Sequence, residues 1–334
     1  MMSLPIKKIR LIVLIFIYSV SGITVLNAAD SAFVIGTFKI TKVTDGDTFK
    51  FEGLDKSARL LGIDTEETFK TADAEQKTNE IATYWEEFYK NERGDNKMPV
   101  KTDSPLGFEA WKWAETFFAD VDSVRLEREA DDRSVDIFGR YLVYLIAYKN
   151  GGEINYNVEC VKQGYSPYFN KYGNSKRFNS EFEQAQNFAK ENQSGIWDPA
   201  KKHYPDYDER IIWWNKRAQQ IENYEKNYSD NENYFNLSSE KDFNRLADNI
   251  GKEITVFGNI GDVLTKKDPV ILRIPYDKNV SFDIVVFEKD LNLLNEIDIE
   301  DKKNYYIYVK GILETYKGSY QIILNNKDQV WMEE

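Results

Sequence analysis

Residues 43–51 read Val-Thr-Asp-Gly-Asp-Thr-Phe-Lys-Phe, and residues 58–63 read Ala-Arg-Leu-Leu-Gly-Ile. The first stretch predicts a strand in which Asp45 and Asp47 share one face, with Gly46 leaving room for a close approach of backbone or ligand. The turn-forming residues between the two stretches predict that the second stretch returns beside the first as a β-hairpin. A short piece of chain therefore produces a compact polar surface.

Residues in and after this hairpin supply carboxylates and guanidiniums: Asp45, Asp47, Arg59, Asp64, Glu66, Glu67 and Arg140. A hard cation such as calcium prefers several carboxylate and carbonyl oxygens as ligands. A phosphate that gains charge in its transition state is well matched by arginine forks, and a carboxylate beside an attacking water is a general-base arrangement. These residue types indicate metal-assisted cleavage of phosphodiesters.

The chain resembles the thermonuclease family, the staphylococcal nuclease-like domains, over about residues 35–198. The motifs that carry the resemblance occur in family order: Asp-Gly-Asp-Thr at 45–48, Arg-Leu-Leu-Gly-Ile-Asp-Thr-x-Glu at 59–67, Phe-Gly-Arg at 138–140, Val-Lys-Gln-Gly-Tyr at 161–165 and Ser-Gly-Ile-Trp at 194–197. Each motif alone is weak, whereas the ordered set is specific. The resemblance implies an α+β fold, an OB-fold small β-barrel with packed helices. It also implies cleavage of DNA and RNA with little sequence preference, leaving 3'-phosphates without a covalent intermediate.

Carried over to this sequence, the resemblance implies a calcium ion held by Asp47, Asp64 and the backbone carbonyl of Thr65. Asp45 falls in the supporting position behind these ligands. Glu67 falls on the glutamate that orients or deprotonates the attacking water.

The resemblance also implies the contacts to substrate. Arg59 and Arg140 fall on the two phosphate-binding arginines of the family. Phe138 and Tyr172 are the candidate aromatic contacts to the nucleotide, because Asn170 stands where the family has its base-stacking tyrosine.

Two further departures concern the loop after the hairpin. The family usually has proline where Glu66 stands, so this loop is expected to be freer, and whether Glu66 or Glu67 faces the water is left open. The segment between Phe69 and Pro105 is far longer than the family's loop, and residues 74–89 within it predict a helix.

The main alternative to a nuclease is a domain that keeps the fold without turnover, a non-catalytic module that binds nucleic acid or protein.

The net charge of −12 limits the mode of nucleic-acid binding. Tight duplex wrapping draws on many Lys and Arg residues that release counterions, so we expect weak, cation-dependent engagement of single-stranded or frayed DNA or RNA. Lys171, Lys176 and Arg177 form either a local basic rim near Tyr172 or a solvated loop.

The N-terminus predicts export. A basic start and an apolar run over residues 11–25 precede Ala28 and Ala29, which are small enough for a cleavage point. A retained membrane anchor is the alternative, but it needs about twenty apolar residues, and this run is shorter and interrupted. We therefore expect residues 1–29 to be a signal peptide and the mature chain to be secreted or periplasmic, without stable membrane insertion.

A chain of 334 residues, 42% of them hydrophobic, is long for one core and predicts more than one domain. We expect a thermonuclease-like domain over 33–198, a helical connector and linker over 199–237, and an accessory domain over 238–334. In the last part, three strands, a helix and two strands resemble a second OB-like β-barrel. Its partner is not specified by the sequence, and it is either a structural or protein-binding appendage or a single-strand binder using Tyr308, Tyr316 and Tyr320.

The counts of cysteine and histidine exclude three features. Cys160 is the single cysteine and His203 the single histidine, so intrachain disulfides, histidine-based catalysis and histidine-rich metal sites are excluded. Residues 155–164 predict a short helix with Asn155 as its N-cap, in which Cys160 is a buried small hydrophobe.

Overall fold

The predicted hairpin lies in a seven-stranded sheet in the computed structural model, which describes residues 32–130, 134–266 and 268–333. The N-terminal segment that carries the signal-peptide prediction lies outside these residues. The seven strands are β1 (Val34–Phe38), β2 (Ile40–Val43), β3 (Thr48–Phe51), β4 (Ala58–Leu60), β5 (Val124–Glu127), β6 (Tyr141–Lys149) and β7 (Gly152–Asn155). Their order is β1-β5-β6-β4-β3-β2, with β7 also paired to β6. β4 and β6 run parallel, and the other pairs are antiparallel.

The Asp-Gly-Asp motif lies in the turn between β2 and β3, so the prediction that it sits within one strand is wrong. The backbone N–H of Thr44 donates to the carbonyl of Thr48 at 2.9 Å and closes this turn. Within it the carboxylate of Asp45 accepts the N–H of Asp47 at 3.2 Å, a local bond by which aspartate competes with strand pairing. Both aspartates are consequently buried at one end of the sheet.

In the described part of the chain, six α-helices surround this sheet or follow it: α1 (Ala74–Ala82), α2 (Trp85–Arg93), α3 (Pro105–Phe117), α4 (Tyr156–Lys162), α5 (Asn179–Glu191) and α6 (Tyr207–Asn227). The single helix predicted over 74–89 is therefore a pair, α1 and α2. The Asn155 side chain accepts the N–H groups of Asn157 and Val158 at the start of α4, as its N-cap role predicts, and Cys160 is fully buried.

Two separate apolar cores hold this region together. Sheet residues such as Phe49, Leu60 and Leu145 pack against α3, α4 and α5 in the larger core. A second core joins α1 and α2 to the residues that follow the sheet region, with Trp85, Tyr89 and Tyr204 in contact. The insertion after Phe69 is thus a packed element of the fold.

The remaining strands form two more sheets. They are β8 (Tyr234–Asn236), β9 (Glu253–Asn259), β10 (Asp262–Leu264), β11 (Val270–Pro275), β12 (Ser281–Val286), β13 (Tyr306–Ile312), β14 (Glu314–Tyr316), β15 (Ser319–Ile323) and β16 (Val330–Trp331), with short helices α7 (Glu240–Arg245), α8 (Asn292–Glu296) and α9 (Ile299–Lys302). One sheet has the order β10-β11-β12-β15-β14 and the other β16-β13-β9-β8. Both sheets share one apolar core. In the pairing of the described strands, none of the three sheets of the chain closes on itself.

Helix α6 contacts both halves of the chain. Trp214 packs edge-on against Phe169, with ring centroids 4.7 Å apart, beside the first sheet. Further along, the Gln220 side chain accepts the backbone N–H of Tyr306 at 3.0 Å, and Tyr224 stacks on Phe257 at 4.6 Å.

Within the described ranges, no helix is both long and apolar enough to cross a bilayer.

Candidate functional site

The guanidinium of Arg59 bridges two buried aspartates. One of its terminal nitrogens donates to Asp47 and the other to Asp64, and the carboxylates are 2% and 4% exposed. The local sequence produces this arrangement because Arg59 pairs with Thr48 in the β3–β4 ladder, next to Asp47, while Asp64 lies in the loop that follows β4. Both carboxylates that sequence reasoning assigned to a cation therefore converge on one guanidinium.

Thr65 completes this group. Its backbone N–H donates to Oδ2 of Asp47 at 2.8 Å, and its hydroxyl lies 3.2 Å from the same oxygen. Gly46 makes the close approach possible, since a Cβ at this residue would lie 2.7 Å from Cγ2 of Thr65. The backbone N–H of Asp64 donates to Oγ of Ser166 at 2.8 Å, which fixes the start of the loop.

Two lysines that sequence reasoning missed lie on these acids. Nζ of Lys101 is 2.5 Å from Oδ1 of Asp64, and Nζ of Lys70 is 2.9 Å from Oδ2 of Asp45 and 3.6 Å from Oε2 of Glu67. They come from the two ends of the insertion, where no motif marks them. Both lysines line a cavity of about 450 Å³, together with four neighbouring residues: Glu67, Thr68, Thr102 and Asp103.

The two bridged aspartates differ in their affinity for a proton. Burial raises the pKa of Asp47 to about 7, against the opposing charge of Arg59. For Asp64, burial acts in the same direction but is outweighed by the charges of Lys101 and Arg59, which lower its pKa to about 2. Asp64 is therefore ionised at neutral pH, whereas the pKa of Asp47 lies close to neutral pH.

The two adjacent glutamates, Glu66 and Glu67, lie in different environments. Glu66 is 2% exposed, and its carboxylate accepts hydrogen bonds from Ser104, Tyr204 and Tyr207. The side chain of Glu67 is 35% exposed and lines the cavity. Of the two, only the Glu67 carboxylate is placed to meet a water molecule in that cavity.

Arg140 is paired within its own loop. Its Nε donates to Oδ2 of Asp136 at 2.7 Å, and its guanidinium carbon lies 5.6 Å from the centre of the Phe138 ring. Its backbone is close to the hairpin, because Tyr141 pairs with Ala58 at the start of β4. Arg59 thus contacts the two acids, whereas the convergence of Arg140 on the same pocket stays a prediction.

The predicted aromatic contacts are exposed. Phe138 is 66% exposed and Tyr172 is 49% exposed. Asn170, at the position of the family's tyrosine, is buried instead, and its Nδ2 donates to the side chains of Asn174 and Asn215 at 2.9 Å each. It joins two polypeptide segments and offers no stacking surface.

The three cations considered for a basic rim or a solvated loop each have a partner. Nζ of Lys171 lies 4.0 Å from the centre of the Trp213 ring and 5.7 Å from that of Tyr172, Lys176 pairs with Glu225, and Arg177 pairs with Glu127. Lys171 therefore lies near Tyr172 as the rim requires, and whether the three cations act together on a substrate stays a prediction.

The oxygen donors of the site suit a hard cation in kind. In the part of the chain that the structure describes, no three Asp, Glu, His or Cys side chains converge as a metal-binding group. The site does contain the carboxylates of Asp47 and Asp64 and the backbone carbonyl of Thr65, which are oxygen ligands of the types that calcium prefers. The raised pKa of Asp47 marks buried negative charge that a cation would stabilise, beyond the charge supplied by Arg59.

Two comparisons with known proteins bear on this site. A family described as staphylococcal nuclease homologue matches residues 57–199. This range includes Arg59, the loop from Asp64 and Arg140, while the Asp-Gly-Asp turn precedes it. An uncharacterized protein of Methanocaldococcus jannaschii is 30% identical over 166 residues, which are 48% of this chain and 70% of that protein.

Proposed function

Because this chain belongs to the staphylococcal nuclease homologue family through residues 57–199, we propose that it hydrolyses phosphodiester bonds of DNA and RNA with little sequence specificity, leaving 3'-phosphates. The observation that carries the proposal is the bridging of Asp47 and Asp64 by Arg59 beside a cavity lined by Glu67. The fold of the family is that of a nuclease, and these side chains supply the charges that such a reaction needs.

We assign calcium as the cofactor, held by Asp47, Asp64 and the carbonyl of Thr65, with Asp45 in support. A bound calcium ion would neutralise phosphate charge and polarise the phosphorus for attack. The support for this assignment is the oxygen-only donor set, the burial of both carboxylates and the raised pKa of Asp47.

The remaining roles fall to side chains of the chain itself. Glu67 accepts a proton from the attacking water, for which its partial exposure to the cavity is suited. Arg59 donates to the phosphate oxygen that gains charge, so its fork is shared between substrate and aspartates in the reacting complex. Arg140 contributes only after its guanidinium leaves Asp136 and binds a phosphate of the substrate instead.

The substrate class follows from charge and exposure. A net charge of −12 disfavours duplex wrapping, and the exposed rings of Phe138 and Tyr172 offer stacking surfaces for unpaired bases. We therefore propose single-stranded or frayed DNA or RNA as the substrate. The N-terminal sequence supports action outside the cytoplasm, in a secreted or periplasmic location.

We propose that residues 238–334 form an OB-like accessory domain. The antiparallel pairing of β9 with β13 and the parallel pairing of β12 with β15 support this topology. Tyr308 is 1% exposed and stacks on Trp331, so a stacking platform there would have to rely on Tyr316, which is 61% exposed. This favours a structural or protein-binding role for the domain.

The test is to incubate the purified chain with a labelled single-stranded oligodeoxynucleotide in calcium or in excess chelator. We expect calcium-dependent cleavage to products ending in 3'-phosphate, and loss of cleavage and of calorimetric calcium binding in Asp47→Asn. The second candidate function, a non-catalytic binding module, is favoured by the pairing of Arg140 with Asp136. Retention of intact strands regardless of calcium would support that function and contradict hydrolysis.

A further inference from the structure

Glu66 is held by three hydrogen bonds in the interior of the protein. Oε1 accepts the backbone N–H of Tyr204 at 2.6 Å and the hydroxyl of Tyr207 at 3.0 Å, and Oε2 accepts the hydroxyl of Ser104. Burying a carboxylate is costly, and a well-packed apolar side chain of similar size is often as stabilising or more so. Stability alone therefore gives no reason for a carboxylate at this position.

The partners of Glu66 also hold the next residue. The backbone N–H of Ser104 donates to the carbonyl of Glu67 at 3.0 Å, and the N–H of Glu67 donates to the Tyr204 hydroxyl at 3.3 Å. Gly107 packs directly on this backbone, since a Cβ there would lie 2.0 Å from the Glu67 carbonyl oxygen. Glu67 is thus held on both sides of its α-carbon while its side chain faces the cavity.

These partners come from two places outside the hairpin. Ser104 ends the insertion and is the N-cap of α3, where its hydroxyl accepts the N–H of Gly107 at 2.9 Å. Tyr204 and Tyr207 lie beyond residue 199, where the family match ends, and Tyr207 begins α6. The loop is therefore fixed by segments that the hairpin motifs do not include.

We propose that Glu66 is a positioning residue, which restrains its loop through a buried network of hydrogen bonds from Ser104, Tyr204 and Tyr207. Its carboxylate ties the loop 64–67 to α3 and to α6, and so sets the position of the Glu67 carboxylate relative to Asp64. The catalytic part of this proposal rests on the proposed nuclease function, whereas the restriction of the loop does not.

The test compares Glu66→Leu and Glu66→Gln with the unaltered full chain. Leucine removes both acceptor oxygens and with them all three hydrogen bonds, so we expect amide hydrogen exchange in residues 64–68 to accelerate by at least about tenfold. We also expect kcat for a single-stranded oligonucleotide to fall by at least about tenfold with KM within about twofold, because chemistry and not binding is disturbed. Glutamine keeps an acceptor for Tyr204 and Tyr207, so it should restore most of both properties.

Glu109→Gln is the matched control. Glu109 on α3 pairs with Lys201 at 2.5 Å, so it joins α3 to the same connecting segment, but both side chains are about 40% exposed and neither touches the loop. We expect its exchange and kinetics to match those of the unaltered chain. Equal effects of Glu109→Gln and Glu66→Leu would reduce Glu66 to a general structural contact and overturn the proposal.

The outcomes separate the two proposals. A folded Glu66→Leu protein with unaltered exchange in residues 64–68, or with unaltered kcat, contradicts the positioning role. If this variant does not fold, Tyr207→Phe removes one donor only, and unaltered exchange of the loop in that protein overturns the proposal. Absence of hydrolysis by the unaltered chain refutes the nuclease function alone, and the exchange measurement then decides whether Glu66 restrains the loop.

Discussion

Nζ of Lys101 lies 2.5 Å from Oδ1 of Asp64, on the carboxylate that also accepts from Arg59. Lys101 comes from the far end of the insertion, and Lys70, from its near end, stands in the same relation to Asp45. Two side-chain ammonium groups therefore supply positive charge where we propose that a cation binds. The insertion sets the charge of the site as well as part of its wall.

Lys101→Met should strengthen calcium binding. Removing an ammonium beside Asp64 removes a like-charge repulsion while Oδ1 of Asp64 still accepts from Arg59, and after solvent screening we expect an increase in affinity of about tenfold, or about 1.4 kcal/mol. Isothermal titration calorimetry measures the change. Lys112→Met is the control, because Lys112 pairs with Glu115 at a different, exposed position. Unchanged or weaker binding in Lys101→Met would show that the lysine does not compete with a cation for Asp64.

Arg59→Ala should be strongly destabilising. It leaves the buried carboxylates of Asp47 and Asp64 without their common partner, and breaking such a pair typically costs about 3–5 kcal/mol. Urea denaturation measures the free energy of unfolding. The exposed pair of Lys112 and Glu115 provides the comparison, since Lys112→Ala should cost no more than about 1 kcal/mol. Similar losses in the two variants would mean that the bridge of Arg59 contributes no more than a surface ion pair.

Arg140→Lys should lower turnover by about 10² if Arg140 leaves Asp136 to meet the phosphate, because a lysine lacks the two-pronged geometry of a guanidinium. Steady-state hydrolysis of an oligonucleotide measures this. Circular dichroism should show an intact fold, since the Arg140 side chain is 33% exposed and pairs with Asp136 in its own loop. A rate near that of the unaltered protein removes Arg140 from the mechanism and leaves Arg59 as the single catalytic arginine of the pair.

Lys171 should make stability depend on pH above neutrality. Burial, and then the charge of Arg217, lower the pKa of Lys171 from 10.5 to about 7. Between these values the unfolded chain binds a proton that the folded chain does not, so the free energy of unfolding rises with pH in this window. Lys171→Met should therefore be the more stable protein at pH 7, with an advantage that shrinks towards pH 10. Thermal unfolding at both pH values measures the difference.

The control for this pH dependence is Lys176→Met, because Lys176 is 63% exposed and pairs with Glu225. Its stability relative to the unaltered chain should not vary over the same range. A constant difference between Lys171→Met and the unaltered chain would mean that Lys171 keeps its proton in the folded state.

The sequence predicts the hairpin and its convergence on Arg59 because these depend on local pairing. Thr48 and Arg59 are opposite each other in a short ladder, Asp47 precedes Thr48 in the chain, and Asp64 comes five residues after Arg59. The placement of the Asp-Gly-Asp motif in a turn was not predicted, since the alternation that suggests a strand does not reveal the hydrogen bond that the Asp45 carboxylate accepts from the backbone N–H of Asp47.

The contacts that the sequence did not predict come from distant segments. Nothing in the spacing of Lys70 and Lys101 marks them as partners of the acids, because the path between them depends on how α1 and α2 pack. The burial of Glu66 depends on Tyr204 and Tyr207, about 140 residues further along the chain. From the sequence alone, Glu66 looks like part of an acidic loop, because its hydrogen-bond partners are far away along the chain.

The most direct test of the proposed nuclease centre is single-turnover cleavage of a labelled single-stranded oligonucleotide in calcium by Glu67→Gln, with Glu86→Gln as the control, at an exposed residue in the first turn of α2. Glutamine cannot take a proton from water, so we predict that the Glu67 variant binds the strand normally but cleaves it about 10²–10⁴-fold more slowly, while the Glu86 variant cleaves at the normal rate. Equal cleavage by Glu67→Gln and the unaltered chain would contradict the account.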